Sequence, residues 1–184
     1  DMGDYSDEGF ILPKLNEHIE IVEISLLDNS FEDGFIRNVE TNATAYHKEK
    51  RFTAEKRAIR TAEILALKLD KQFVIWCDTN YEADLLRKYI PTAVEVRGSD
   101  KVEKKEESII GFIDGEIQIL ISKPTIFGYG LNLQNCNNTV FCGLSYSYEN
   151  YYQAIKRFHR FGQKEEVNSH IVIGSTEQNS RVKI

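Results

Sequence analysis

The chain is predicted to adopt an α/β fold, a doubly wound and mainly parallel sheet with helices on both faces. Two observations carry this expectation. From residue 72 onward, short apolar runs rich in β-branched and aromatic residues alternate with amphipathic stretches, which is the pattern of strand–helix–strand units. The runs themselves, Phe73-Val74-Ile75-Trp76-Cys77 above all, are unbroken rather than alternating in polarity, as suits strands covered on both faces.

Each element follows from a local signal. Phe73–Cys77 begins the sheet, and Asp78-Thr79-Asn80 caps a helix that runs to about Tyr89, where Pro91 stops it. Ala93–Val96 supplies a second strand and Arg97–Asp100 its exit loop, followed by a helix to about Ile113. Asp114-Gly115 turns the chain into a third strand, Ile117–Ile121. Thr139–Leu144 is a fourth, Ser147 caps a helix carrying several basic residues, and Val167–Ile173 is a fifth. Upstream, residues 53–69 read as a helix with Ile59, Ala62, Leu65, Ala66 and Leu69 on one stripe and Thr53 as its cap. Residues 1–52 read as a lead-in segment, with a strand at His18–Leu27 and irregular chain around Asn38–Lys50, which leaves 53–184 as one domain.

The 184 residues are 41% hydrophobic and 28% charged, enough for one well-buried core. No apolar run approaches the ~20 residues of a membrane span. The acidic start Asp1-Met2-Gly3-Asp4 also lacks the basic and apolar regions of a signal peptide. A cytoplasmic protein with no membrane partner is expected. Cys77, Cys136 and Cys142 lack Cys-x-x-Cys spacing and point to neither a disulfide framework nor a metal site. A net charge of −6 argues against tight nucleic-acid binding by this chain alone. Lys101, Lys104 and Lys105 interleave with Glu103, Glu106 and Glu107 and read as a solvated helix face.

The densest chemistry lies at residues 153–163, Gln-Ala-Ile-Lys-Arg-Phe-His-Arg-Phe-Gly-Gln. Continued as a helix, spacings of four and three put Gln153, Arg157 and Arg160 on one face, with Gly162 just past its end. Two guanidiniums fixed on one surface suit a polyanion such as a phosphate chain. Basic residues complementing a helix dipole would explain the charge, but not Gln153, His159 and Gln163 around it. His159 has no partners for metal binding and is expected to orient its own segment.

Ligands of open parallel sheets gather at the carboxyl ends of strands. Three loops expected there are chemically marked: Arg97-Gly98-Ser99, Ser122–Leu133 and Ser145–Ser147. Gly128-Tyr129-Gly130 follows a strand but lacks the third glycine of a dinucleotide fingerprint, Leu133 standing in its place. Trp76 and Tyr146 are large enough to stack on a base, although Trp76, in mid-strand, reads as core.

Gln-Ala-x-x-Arg-x-His-Arg-x-Gly-Gln at 153–163 resembles the last conserved motif of Swi/Snf-type helicases of superfamily two. Gly-x-Gly-Leu-Asn-Leu at 128–133 resembles the fifth motif of the same family. Over about residues 72–174 the chain is similar to the second, C-terminal RecA-like lobe of such motors, and most similar to the compact helicases of phages and prophages. Phe127-Gly128 in place of two adjacent glycines, Ser145-Tyr146-Ser147-Tyr148 ahead of the last helix, and Lys156 before the first arginine depart from the family pattern.

The resemblance implies an ATP-dependent DNA translocase or helicase. In such motors ATP and Mg2+ are held mainly by an N-terminal RecA-like lobe of the same polypeptide, and no cofactor is expected to bind this chain tightly. The chain has no Gly-x-x-x-x-Gly-Lys-Ser/Thr of its own. By the same resemblance, Arg157 and Arg160 are catalytic arginine fingers. Gln153, Gly128 and Gly130 belong to the ATP cleft, and Arg97, Ser99, Ser122, Lys123 and Thr125 to a nucleic-acid surface, with DNA the expected partner and no metal site. Two other readings stay open. One is a RecA-like module that docks nucleic acid or a protein without turnover; the other is an unrelated nucleotide-binding α/β protein, supported by Gly128-x-Gly130 alone.

Overall fold

The structure, a computed structural model, describes residues 12–24, 43–126, 131–145 and 147–177, with the backbone alone for 43–46. Six strands are present among them: β1 Leu15–Val22, β2 Phe73–Trp76, β3 Val94–Glu95, β4 Ile119–Ser122, β5 Asn138–Cys142 and β6 Val167–Gly174. Four helices lie between them: α1 Ala43–Ala66, α2 Asn80–Tyr89, α3 Val102–Ile113 and α4 Tyr148–Ile155. The strands form one sheet in the order β1-β6-β5-β2-β4-β3, and every pairing is parallel.

Strand alternation divides the core in two. Val74 and Trp76 of β2 pack with Phe112, Leu120, Phe141, Tyr151 and Phe158 on the α3 and α4 side. Phe73, Ile75 and Cys77 point the other way and pack with Ala58, Leu65, Ala83 and Leu86 of α1 and α2. Both faces of β2 are therefore dry, which is why its sequence shows no polar alternation. Each such side chain contributes roughly 1.5–3 kcal/mol by leaving water.

Several expectations about the first 69 residues need correction. The upstream strand is Leu15–Val22 rather than His18–Leu27, and it is no part of a loose lead-in, because it pairs in register with β6 along its whole length. Its Ile19 and Ile21 are half-exposed, as suits an edge strand, and residues 25–27 lie outside the described residues. Helix α1 starts at Ala43, inside the stretch expected to be irregular, and ends at Ala66. Thr53 is buried in its interior instead of capping it, and Leu69, expected in its apolar stripe, is 76% exposed. The face that α1 actually buries includes Lys50, Thr53, Ala54, Arg57, Ala58, Thr61 and Leu65. More than half of those positions are polar, so hydrophobic periodicity points to a neighbouring face.

Helix α4 starts as expected, with the Ser147 hydroxyl accepting from the Asn150 amide at 3.2 Å. It stops at Ile155, well before the arginines end. The amides of Arg157 and Phe158 bond to the carbonyls of Ala154 and Ile155, the tighter i to i+3 pattern that closes many helices.

Candidate functional site

The chain leaves β2 for β3 and β4 on one side, then crosses to β5 and β6 on the other. That reversal opens a crevice at the carboxyl ends of β2, β4 and β5, the usual place for a ligand in this architecture. A small pocket of about 30 Å³ sits there, walled by Cys77-Asp78, Lys123-Pro124-Thr125, Gly143-Leu144-Ser145 and Asn150.

The arginine segment closes one side of this crevice. Phe158 is fully buried and meets Trp76 edge to face at 6.2 Å, which confirms Trp76 as core and pulls the chain inward after α4. Arg157 is drawn in with it. The residue is 8% exposed, and its Nη2 donates to the Pro124 carbonyl at 3.4 Å. Burial lowers its pKa from the ordinary arginine value. Arg160 and Gln153 remain exposed. Gln153, Arg157 and Arg160 therefore do not share one helix face, contrary to the spacing argument, because the helix ends before the second and third of them. Gly162 does adopt the left-handed region, φ +93°, as the end of these turns rather than of α4.

Two polar side chains fasten the segment. Gln163 is buried, with Nε2 3.3 Å from the carbonyls of both Gln134 and Cys136, while its Oε1 accepts from the amides of Lys164 and Glu165. His159 donates from Nε2 to the Pro13 carbonyl at 2.7 Å, so it ties the segment to the chain leading into β1 rather than acting within the helix.

The nucleic-acid candidates divide by environment. Lys123 lies in the pocket wall, and Thr125 and Ser99 are exposed. Ser122 is buried, and its hydroxyl donates to the Val96 carbonyl at 3.1 Å, an internal link between β4 and the end of β3. Arg97 is held by carboxylates: Nε and Nη2 lie 2.7 and 2.9 Å from the two oxygens of Glu95, and Nη2 also bonds to Asp84. Those bonds, that to Glu95 first, raise its pKa, and the geometry gives no support to Arg97 as a phosphate contact. Gly128 and Gly130, and with them Tyr146, lie outside the described residues.

Sequence reasoning missed a buried cluster of Lys50, Arg57, Glu82 and Glu177 behind the pocket. Arg57 Nη2 lies 2.8 Å from Glu82 Oε1, and Lys50 Nζ lies 2.8 Å from Asp78 Oδ2. Burial works against the Arg57 charge, but interactions with Cys142, Glu177 and Glu82 outweigh it and leave its pKa raised. The available signal was the spacing of Lys50, Thr53, Arg57 and Thr61, a polar stripe at helical intervals. Among the described residues no group of three or more His, Cys, Asp or Glu is placed to hold a metal ion, and no helix is long and apolar enough to cross a membrane. The three cysteines are free and buried, and burial pushes Cys136 up to about 12 and Cys142 to about 11.

Known proteins resemble this chain in sequence and in fold. The chain is 33% identical over 95 residues to the TATA-binding protein-associated factor MOT1 of Saccharomyces cerevisiae and 34% over 95 residues to the TATA-binding protein-associated factor BTAF1 of Arabidopsis thaliana. Each alignment covers 50% of this chain and 5% of the relative. It is 32% identical over 97 residues to the ATP-dependent RNA helicase FAL1 of Lodderomyces elongisporus, covering 50% of this chain and 24% of that protein. The chain thus spans a minor part of each of these relatives. A crystal structure of the C-terminal part of the Fun30 ATPase domain matches with a TM-score of 0.59 at 23% identity, over 78% of this chain and 48% of that one, which supports the RecA-like fold. Residues 55–162, more than half of the chain and including β2 to β5 and α4 but neither β1 nor β6, match the model of the helicase conserved C-terminal domain. The chain belongs to that family, the C-terminal lobe of superfamily-two helicases.

Proposed function

We propose that this chain is the C-terminal motor lobe of an ATP-dependent DNA translocase or helicase of the compact Swi/Snf type seen in phages and prophages. It works against an N-terminal RecA-like lobe that holds ATP and Mg2+. The observation that carries this reading is the contact of Arg157 with Pro124, which joins the arginine segment to the loop after β4 at the switch point of the sheet. Leu133, the described end of the segment that resembles the fifth motif, meets the same residue, its amide donating to the Arg157 carbonyl at 3.0 Å.

In this reading Arg160, exposed on the turns after α4, reaches charge developing on the γ-phosphate when the lobes close. In GTPases such an arginine contributes ~10³–10⁵ in rate. Arg157 offers a second, poorly hydrated guanidinium, whose interaction with a phosphate is strong because little water competes. Gln153 meets the nucleotide or the opposing lobe, and Gly128 and Gly130 let backbone approach it. Lys123, Thr125 and Ser99 contact phosphates of the nucleic acid without reading its sequence, while Ser122 and Arg97 hold the loops that carry them.

The test is steady-state ATPase and nucleotide affinity of Arg160→Ala and Arg157→Ala in the complete gene product. Loss of DNA-stimulated turnover with nucleotide binding kept is expected, since the lost interaction belongs to the transition state. Near-normal turnover in both variants, with circular dichroism unchanged, would leave a docking module without turnover as the better account.

A further inference from the structure

Lys50, Thr53 and Arg57 lie on one face of α1, and the side chains of Lys50 and Arg57 are wholly buried. Lys50 Nζ donates to Asp78 Oδ2 at 2.8 Å and to the Leu144 carbonyl at 3.0 Å. Arg57 donates through Nη1 to the Cys142 carbonyl at 2.6 Å, and through Nη2 to Glu82 Oε1 at 2.8 Å and the Lys50 carbonyl at 2.6 Å. Its Nε donates to Thr53 Oγ1 at 3.1 Å and lies 3.4 Å from Glu177 Oε1. The other oxygen of Glu82 accepts from the amides of Asp78 and Thr79. Two cations on one helix thus hold the ends of β2 and β5, the start of α2 and the turn after β6.

Such a cluster is a poor way to gain stability. Desolvating each charge costs several kcal/mol, and replacing a buried ion pair by apolar groups is often neutral or stabilising. What distinguishes this cluster is its place. Asp78, Gly143 and Leu144, the residues it grips or abuts, form part of the wall of the strand-end pocket, and Gly143 and Leu144 follow β5 on the way to α4. Gly143 has φ +88°, and a Cβ there would lie 2.0 Å from Arg57 Nη1. The chain is drawn directly over the guanidinium.

We propose that Lys50 and Arg57 are positioning residues for the strand-end site. They fix the junction between β5 and α4, and through it the direction in which α4 and the following turns present Gln153, Arg157 and Arg160. The functional half of this inference rests on the arginine roles proposed above; the local anchoring does not. A purely structural cluster would instead support the whole domain evenly.

Two measurements on Arg57→Met combined with Glu82→Gln, which removes both charges of the central pair, decide the matter. In the 184-residue chain, native-state hydrogen exchange at the Gly143, Asn150 and Tyr151 amides is expected to speed up at least tenfold more than at Leu120 and Ile121 of β4. An even loss of protection across both groups would overturn the proposal. In the complete gene product, kcat is expected to fall at least tenfold while the KM for ATP and nucleotide affinity stay within twofold; unchanged kcat in the folded variant would overturn it. Arg160→Ala separates the two ideas. If that variant is silent the arginine roles fail, while the exchange result still judges the anchoring. Should the double variant not fold, Glu82→Gln alone keeps an acceptor for the Thr79 amide while turning an N–H toward Arg57. It is then held to the same comparisons, with threefold effects expected and even or absent effects overturning the proposal.

Discussion

The main-chain carbonyl of Arg157 accepts a hydrogen bond from the Leu133 amide at 3.0 Å, while its side chain reaches the Pro124 carbonyl. One residue therefore brackets both ends of the loop between β4 and β5. The nearby Arg160 makes its own backbone turn but leaves its side chain in solvent. The two arginines are adjacent in the motif and unlike in the structure.

That difference separates stability from turnover. Arg157→Ala removes a buried donor to the Pro124 carbonyl, at a cost of about 1–3 kcal/mol. Arg160→Ala, at an exposed position, is expected to stay within about 0.5 kcal/mol. Urea denaturation of the two variants of this chain measures both. Equal midpoints would show that Arg157 does not anchor the loop.

Gly143→Ala is expected to destabilise the chain by roughly 2–4 kcal/mol, combining a left-handed backbone with overlap on Arg57. The overlap disappears if the guanidinium is removed first. In an Arg57→Met background the same substitution should cost only the backbone strain, about 1–2 kcal/mol. A double-mutant cycle of denaturation midpoints reads the difference, and an equal penalty in both backgrounds would exclude the close approach as its cause.

His18 and His170 are register partners across β1 and β6, and their rings stack at 4.6 Å. Burial lowers the His170 pKa, and the neighbouring His18 charge lowers it further. Below the ordinary value of about 6.5, down to this lowered folded value, the unfolded chain holds more protons than the folded one. Stability consequently rises with pH through that window and levels off above it. The bond from Arg60 lowers the Glu20 pKa, so protonating that carboxylate also weakens the fold, at more acidic pH. Acidification from pH 7 to 5.5 should lower the melting temperature, and His170→Gln should flatten the dependence. Parallel profiles for the two proteins would contradict it.

The 184-residue chain by itself is expected to hydrolyse ATP no faster than buffer, since its sequence contains no phosphate-cradling Gly-x-x-x-x-Gly-Lys motif. Its binding to single- or double-stranded DNA should be weaker than about 1 μM at physiological salt and fall steeply as salt rises, because a net charge of −6 opposes a few loop contacts. Malachite-green phosphate release and fluorescence anisotropy at two salt concentrations check both halves. Robust turnover by a clean preparation would sink the single-lobe reading.

The central strand was legible in the sequence, because a strand dry on both faces cannot hide its composition: Phe73–Trp76 falls within a residue of the expected run, as does Val167–Gly174, whose apolar end Ile171–Ile173 marks it. The caps at Thr79 and Ser147 were equally legible, since a cap acts over three or four residues. Motif order also pointed to the carboxyl end of the sheet. Tertiary contacts decided the rest. Where α4 stops depends on Phe158 finding Trp76 and on Gln163 finding the carbonyls of Gln134 and Cys136, partners that no local pattern encodes. The pairing of β1 with β6 joins residues about 150 apart in the chain. Nothing in the order of the chain brings Lys50, Arg57, Glu82 and Glu177 together. A charge can be buried only where its counter-charge is also present, and that pairing exists only once α1, α2 and the turn after β6 have met.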